Sequence, residues 1–198
     1  MMGPLVYVMG PSGAGKDSVL DRARAMMADD LAVAFAHRYI TRPADAGGEN
    51  HVALSPAEFA RRRAHGLFAL HWHAHGNDYG IGTEIDAWRL AGLTVVVSGS
   101  REHFIMATER SADTIPVLIT APAERLQARL AERGREDAAA VTERLRRGLA
   151  YDLDVPGLVT IVNDGALDDA ARAFVRLLAT LRQPARGDRR RAGSAPAP

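Results

Sequence analysis

Gly10-Pro11-Ser12-Gly13-Ala14-Gly15-Lys16-Asp17-Ser18 is the stretch that decides the fold. It follows an apolar run, Leu5-Val6-Tyr7-Val8-Met9, and precedes a helical pattern from Val19 to Met27. Strand, glycine-rich turn and helix form the context of a phosphate-binding P-loop. The glycines let the backbone turn tightly, so that successive N–H groups converge on one anion. The helix N-terminus adds a partial positive charge at the same point. Gly10, Gly15 and Lys16 meet the Gly-x-x-x-x-Gly-Lys spacing, and Lys16 supplies a mobile full charge for the terminal phosphates of a nucleotide. The next position, ordinarily a Ser or Thr whose hydroxyl meets magnesium, is Asp17, with Ser18 one step later.

Composition sharpens the reading. Of the 25 Lys and Arg residues, 24 are Arg, so Lys16 is the single lysine of the chain. Arginine serves wherever a generic cation suffices, and the flexible point charge is kept for the P-loop. A length of 198 residues suits one domain with its own core. A formal net charge of +1 gives no electrostatic case for nucleic acid. The absence of cysteine excludes disulfides and thiolate chemistry and fits a reducing, cytoplasmic setting. No basic-then-apolar leader and no apolar run of about 18 residues is present, so no membrane partner is expected. The sequence fixes no oligomeric state, and a homodimer is compatible with it.

Along the chain, strands are expected at 32–36, 94–98, 114–120 and 158–163. A strand pair is expected within Phe68 to Ile81, turning around His75-Gly76-Asn77-Asp78. Ser55-Pro56-Ala57-Glu58 is a helix start, with Ser as N-cap and Pro in the first turn, and the helix runs to His65. Further helices are expected at 84–91, from Gly99-Ser100-Arg101 onward, and at 167–181. An Arg-rich helical region follows Ala121-Pro122, breaks at Gly134 and resumes from about Asp137 to Leu149. Residues 183–198 lack apolar periodicity and are expected to be disordered. Apolar strands alternating with helices predict an α/β fold, a parallel sheet with helices on both faces, with phosphates at the carboxyl ends of the strands.

With the P-loop, Thr41-Arg42, the 76–80 stretch and Arg133-Gly134 in order, residues 4–182 resemble the guanylate kinase-like group of nucleoside monophosphate kinases. The resemblance implies one three-layer domain over 1–182, a small acceptor-binding subdomain over about 35–95 and an Arg-rich lid over about 125–147. It implies ATP as donor, magnesium, and a phosphate as the group phosphorylated. Gly10 to Ser18 would cradle ATP. Arg42 would hold the acceptor phosphate. Arg133 and Arg144 would close over the transferred phosphoryl, Arg135 would hold ATP, and Asn163 would lie near the adenine.

Departures from that group narrow the reading. The segment that carries a guanine-pairing carboxylate in guanylate kinases has Leu70 here, at a cost of about 10⁴-fold in guanine discrimination. The group's second acceptor arginine is Asp45, and its acidic positions after the third strand are Ser98 and Ser100. Five motifs in order are similar to the ribose 1,5-bisphosphate phosphokinase family. They are the Lys-Asp-Ser ending of the P-loop, Arg38-Tyr39-Ile40-Thr41-Arg42-Pro43, Gly48-Glu49-Asn50-His51, Tyr79-Gly80-Ile81 and Ser98-Gly99-Ser100-Arg101. That family phosphorylates the C1 phosphate of a sugar bisphosphate to give 5-phosphoribosyl 1-diphosphate in bacterial phosphonate breakdown.

The site expected on this basis is Lys16 with the P-loop N–H groups on ATP, and Arg42, Tyr79 and Arg101 on the acceptor phosphates. Asp17 and Ser18 are expected near magnesium, Asp17 either restoring the carboxylate missing at Ser98 and Ser100 or simply stabilising the first turn of the helix. Glu49 and Asp45 suit ribose hydroxyls, or a solvated acidic loop. His71, His73 and His75 alternate in a way that invites a metal, but no further ligand pattern surrounds them, and a polar or exposed face is the default. The rival functions are guanylate kinase, disfavoured by Leu70, and a non-catalytic binding module, disfavoured by the intact Gly10, Gly15 and Lys16 set.

Overall fold

The computed structural model describes residues 2–46, 49, 51–132 and 155–181. Strand β1 (Leu5–Met9) is buried along its whole length. Its residues divide between two cores, as a strand covered on both faces must. Val6 and Val8 face one side; Leu5, Tyr7 and Met9 face the other. That division explains why the run is continuously apolar instead of alternating.

Four further strands join β1 in a wholly parallel sheet: β2 (Val33–Phe35), β7 (Thr94–Ser98), β8 (Thr114–Thr120) and β9 (Val159–Val162). Their order is β2-β7-β1-β8-β9. The chain reverses direction across β1, and such a switch point opens a crevice at the carboxyl ends of the strands. The first core joins Val6, Val8 and Ile119 to helix α1 (Lys16–Met26) through Val19, Leu20 and Ala23, and to α6 (Leu167–Thr180) through Phe174 and Leu178. Helix α5 (Ala123–Glu132) adds Leu126 to it.

The opposite core is shared with a second, smaller sheet. Strands β3 (Arg38–Ile40), β4 (Val52–Ala53), β5 (Phe68–Ala74) and β6 (Asn77–Gly82) order as β4-β3-β6-β5. Ile40, Leu70, Trp72, Tyr79 and Ile81 from this sheet pack with Tyr7, Met9 and Val97 of the main sheet. Helix α3 (Glu84–Leu90) contributes Ile85, and α4 (Phe104–Arg110) contributes Phe104 and Ala107. The smaller sheet therefore rests against the main sheet through apolar packing.

Local chemistry sets the boundaries. Helix α2 (Pro56–Ala64) starts as expected: the Ser55 hydroxyl accepts from the Glu58 N–H at 3.1 Å, with Pro56 in the first turn. The β5–β6 hairpin closes on His75 (φ 50) and Gly76 (φ 73), both left-handed, a two-residue turn that matches strand twist. His75 thus leaves the strand, so it does not share an alternating face with His71 and His73. His73 pairs instead with Asp78 at 2.9 Å, and no group of metal-ligating residues is found among the described residues. Strands β3 and β4, three and two residues long, were not expected as strands; elements this short show no periodicity. The expected helix after Gly99 begins as a 3-10 turn at Arg101–His103 before α4. Among the described residues no helix is long and apolar enough to cross a membrane.

Arg89 pins the edge of the fold. It is 4% exposed, and donates to the Gly3 carbonyl at 2.8 Å, to the Ser111 hydroxyl at 2.7 Å and to both oxygens of Asp113 at 2.8 and 2.9 Å. These contacts tie the N-terminus and α3 to the turn before β8. Replacing Arg89 by Met removes all four and strands the Gly3 carbonyl. The expected loss is roughly 2–3 kcal/mol of stability, read as a lower urea midpoint at unchanged slope. A midpoint within error of the parent would show that the backbone hydrogen bonds of Gly3 and Pro4 and the apolar contacts suffice to hold the N-terminus.

Candidate functional site

The loop between β1 and α1 is braced from behind. Asn163, just past β9, donates from its side-chain amide to the Ala14 carbonyl at 2.8 Å, and its own N–H reaches the Thr120 carbonyl at 2.7 Å. Arg129 of α5 spans the Gly13 and Ala14 carbonyls at 3.4 Å each and donates to the Asn163 carbonyl at 3.1 Å. With the Ala14 carbonyl held on this side, the N–H of the same trans peptide, on Gly15, points the other way. Gly15 caps α1 at φ 76, and no side chain caps the helix. The first closed helical bond runs from the Val19 N–H to the Gly15 carbonyl at 2.9 Å, so the N–H groups of Lys16, Asp17 and Ser18 have no helical acceptor. The result is an anion cradle at a helix N-terminus. Gly10 is required as well, since a Cβ there would lie 2.2 Å from the Ile119 carbonyl oxygen.

A row of alternating charges leads out of the cradle. Lys16 Nζ donates to Asp17 Oδ1 at 2.7 Å and to Ser98 Oγ at 2.5 Å. Asp17 Oδ1 also accepts from the Arg38 guanidinium at 3.2 Å and from the Ser98 hydroxyl at 3.5 Å. Arg38 Nε donates to Glu49 Oε2 at 2.5 Å, and its terminal nitrogen contacts the same oxygen. Glu49 Oε1 accepts from Arg42 at 3.2 Å. The side chains of Lys16, Arg38 and Glu49 are 11%, 10% and 10% exposed. Burial, with Arg38 nearby, pushes the Lys16 ammonium below the usual lysine value, and Asp17 opposes the shift. Arg42 Nε is buried without a hydrogen-bond partner among the described residues.

The surroundings position these groups. His51 places its two ring nitrogens 3.1 Å from the Glu49 and Arg42 carbonyls, stapling the loop to the end of β3. Arg38 Cζ lies 5.5 Å from the Tyr79 ring centroid. Tyr79 stacks on Trp72 at 5.5 Å and 4°. Burial pushes the Tyr79 phenol up, against the lowering influence of Arg38 and Arg42. Asp17, Asp21, Arg38, Glu49 and Ser98 share one cleft beside α1. Burial raises the Asp21 carboxyl, and the charges of Asp17 and Glu49 add to the rise against Arg24.

The structure thus brings together Lys16, Asp17, Arg42, Glu49 and Tyr79 of the expected site. Ser18 is exposed on α1, and Asp45 is exposed in a 3-10 turn (Ala44–Ala46). Arg101 opens the turn after β7, beyond Ser98. Asn163 sits behind the loop, with its Oδ1 buried and unpartnered. Arg133, Arg135, Arg144, Gly48, Asn50 and the tail 183–198 lie outside the described residues. Arg38, Ser98 and Arg129 were not expected among the site residues. Arg38 has a signal in the sequence, since residues 38, 40 and 42 share parity along an extended segment. Arg129 has none, as one arginine among many in its region.

The fold and cradle together define a P-loop phosphotransferase of guanylate kinase-like architecture. A solved structure of guanylate kinase from Anaplasma phagocytophilum superimposes with a TM-score of 0.65 over 92% of this chain and 88% of that one, at 17% identity. The chain belongs to the ribose 1,5-bisphosphate phosphokinase family. It is 51% identical over 177 residues to the ribose 1,5-bisphosphate phosphokinase PhnN of Desulfomicrobium baculatum, covering 89% of this chain and 95% of that protein. It is 53% identical over 175 residues to the protein of that name from Burkholderia pseudomallei, covering 88% and 94%. No family model matches the chain.

Gly15 offers a direct test of the cradle. A Cβ there would lie 2.6 Å from Asn163 Nδ2, on a backbone at φ 76. Gly15→Ala should cost roughly 1–3 kcal/mol in strain and weaken ADP binding at least about tenfold by calorimetry. Parent-like ADP affinity would show that the left-handed cap is not what shapes the cradle.

Proposed function

We propose that this protein transfers the γ-phosphoryl group of ATP to the C1 phosphate of ribose 1,5-bisphosphate, giving 5-phosphoribosyl 1-diphosphate and ADP, in cytoplasmic phosphonate catabolism. The observation that carries this reading is about 50% identity, over nine-tenths of both chains, to proteins bearing that name. Leu70 supports it from a different direction. It is 4% exposed in the apolar core of the smaller sheet, and offers nothing to a base edge.

The chemistry needs positioning and charge compensation more than covalent help. The residues present fit a nucleoside triphosphate: a helix N-terminus with no side-chain cap, a buried ammonium, and carbonyls held away by Asn163 and Arg129. Gly10 to Ser18 hold the ATP phosphates, and Lys16 exchanges Asp17 and Ser98 for phosphate oxygens. The buried Asn163 Oδ1 is an acceptor suited to the adenine amino group. Magnesium fits beside Asp17, a hard carboxylate donor at the head of α1, with Ser18 next to it; bound there, the ion supplies charge neutralisation between phosphates. Arg42, Tyr79 and Arg101 hold the acceptor phosphates, Glu49 lies beside the sugar, and the lid arginines Arg133, Arg135 and Arg144 close over ATP and the transferred group. The acceptor phosphate needs no general base of high strength, because its oxygen is already anionic at neutral pH.

Phosphorus NMR with ATP and magnesium tests this directly, with ribose 1,5-bisphosphate in one sample and GMP in another. A new diphosphate on C1 of the sugar is expected, with GMP untouched. GDP from GMP with the sugar inert would make the protein a guanylate kinase, and neither product would make it a binding module. Lys16→Ala should reduce the sugar reaction at least about 10²-fold.

A further inference from the structure

Glu49 occupies a position shaped for a different anion. Its carboxylate lies between two guanidinium groups, Arg38 on Oε2 and Arg42 on Oε1. Arg38 opens β3 and Arg42 lies in the bend that follows it, and His51 contacts the carbonyls of Arg42 and Glu49. The two oxygens of Glu49 take Arg38 Nε, one terminal nitrogen of Arg38 and one of Arg42. Arg42 Nε is left buried with no hydrogen-bond partner among the described residues, a deficit that an incoming acceptor oxygen would relieve. A phosphate monoester presents three terminal oxygens in place of two, and two arginine forks are the preferred recognition of such a group.

We infer that Arg38 and Arg42 form a two-arginine clamp for a phosphate monoester of the acceptor, in which the Glu49 carboxylate is an internal stand-in displaced when the phosphate binds. The third phosphate oxygen satisfies Arg42 Nε. Arg38 thereby becomes a specificity-determining residue, facing the substrate from a position held by Asp17 on one side and the Tyr79 ring on the other. The displaced carboxylate stays on the same short loop, beside the sugar. The inference rests on the proposed reaction only for the identity of the molecule that carries the phosphate. The anion site itself rests on the two guanidinium groups that flank Glu49 and on the unpartnered Arg42 Nε.

The test uses the full chain saturated with ADP and magnesium, so that the P-loop is filled, and titrates inorganic phosphate by calorimetry. Phosphate should bind Glu49→Gln several-fold more tightly than the parent, because a competing charge is gone while the side-chain shape remains. Arg38→Gln should bind at least about tenfold more weakly, and Arg38→Lys, which keeps the charge and loses the fork, should fall between. In turnover, Arg38→Lys should raise KM for the sugar bisphosphate and leave KM for ATP unchanged. Equal or weaker phosphate binding by Glu49→Gln overturns the stand-in role. Unchanged binding by Arg38→Gln, or by Arg38→Lys where the Gln variant does not fold, overturns the clamp. Phosphate affinity is read without turnover, so a protein that binds phosphate as expected yet leaves the sugar bisphosphate unreacted retains the clamp and loses the proposed substrate.

Discussion

One carboxylate oxygen, Asp17 Oδ1, accepts from the P-loop lysine, from Arg38 of the smaller sheet and from Ser98 at the end of β7. These donors come from three separate parts of the chain, and all carry or share positive polarity. Lys16 and Arg38 repel each other at this range, which adds to burial in pushing the Lys16 ammonium below the usual lysine value. Without the Asp17 charge, Lys16 would lose its nearest counter-charge and Arg38 would keep only Glu49, leaving two buried cations with one carboxylate between them, an arrangement that buried sites tolerate poorly. Asp17 therefore stands at a position where a hydroxyl, the usual occupant of P-loops, could accept a hydrogen bond but could not balance the charge.

From that centre the site extends in two directions. Behind it, Asn163 and Arg129 hold the loop carbonyls, so the cradle is shaped by the β9 and α5 ends of the main sheet. In front, Arg38 passes the charge balance to Glu49, and Glu49 passes it to Arg42. The smaller sheet is thus joined to the P-loop by two kinds of force. Apolar packing of Ile40, Leu70 and Tyr79 against Tyr7, Met9 and Val97 supplies the bulk attraction. The charge row supplies the register, since ion pairs with short, defined distances discriminate between placements that apolar contact alone would allow.

Much of this was legible in the sequence because its signals are local. The β1 run, the glycine spacing and the lone lysine specify strand, loop and helix within a few residues of one another. The Ser55 cap and the His75-Gly76 turn are equally local. What the sequence concealed depends on long-range geometry. Arg38 is separated from Asp17 by 21 positions and Arg129 from Gly13 by 116, and no periodicity links either pair. Asn163 was expected near the adenine on its place after the last strand; its bond from the side-chain amide to the Ala14 carbonyl, 149 positions away, has no local signal. The change at Asp45 read as a lost acceptor arginine; the fold instead brings Arg38 beside Arg42 from the other side, so two guanidinium groups are present after all.

A double-mutant cycle between Asp17→Asn and Arg38→Gln, measured by urea unfolding, addresses the role of Asp17 as the common anchor. If the Asp17 charge joins the two parts, each single change removes the same Asp17–Arg38 contact and the double change loses it only once, so the effects should fall short of additive by at least about 1 kcal/mol. Additivity within roughly 0.3–0.5 kcal/mol would contradict this and leave apolar packing as the sole link between the smaller sheet and the P-loop.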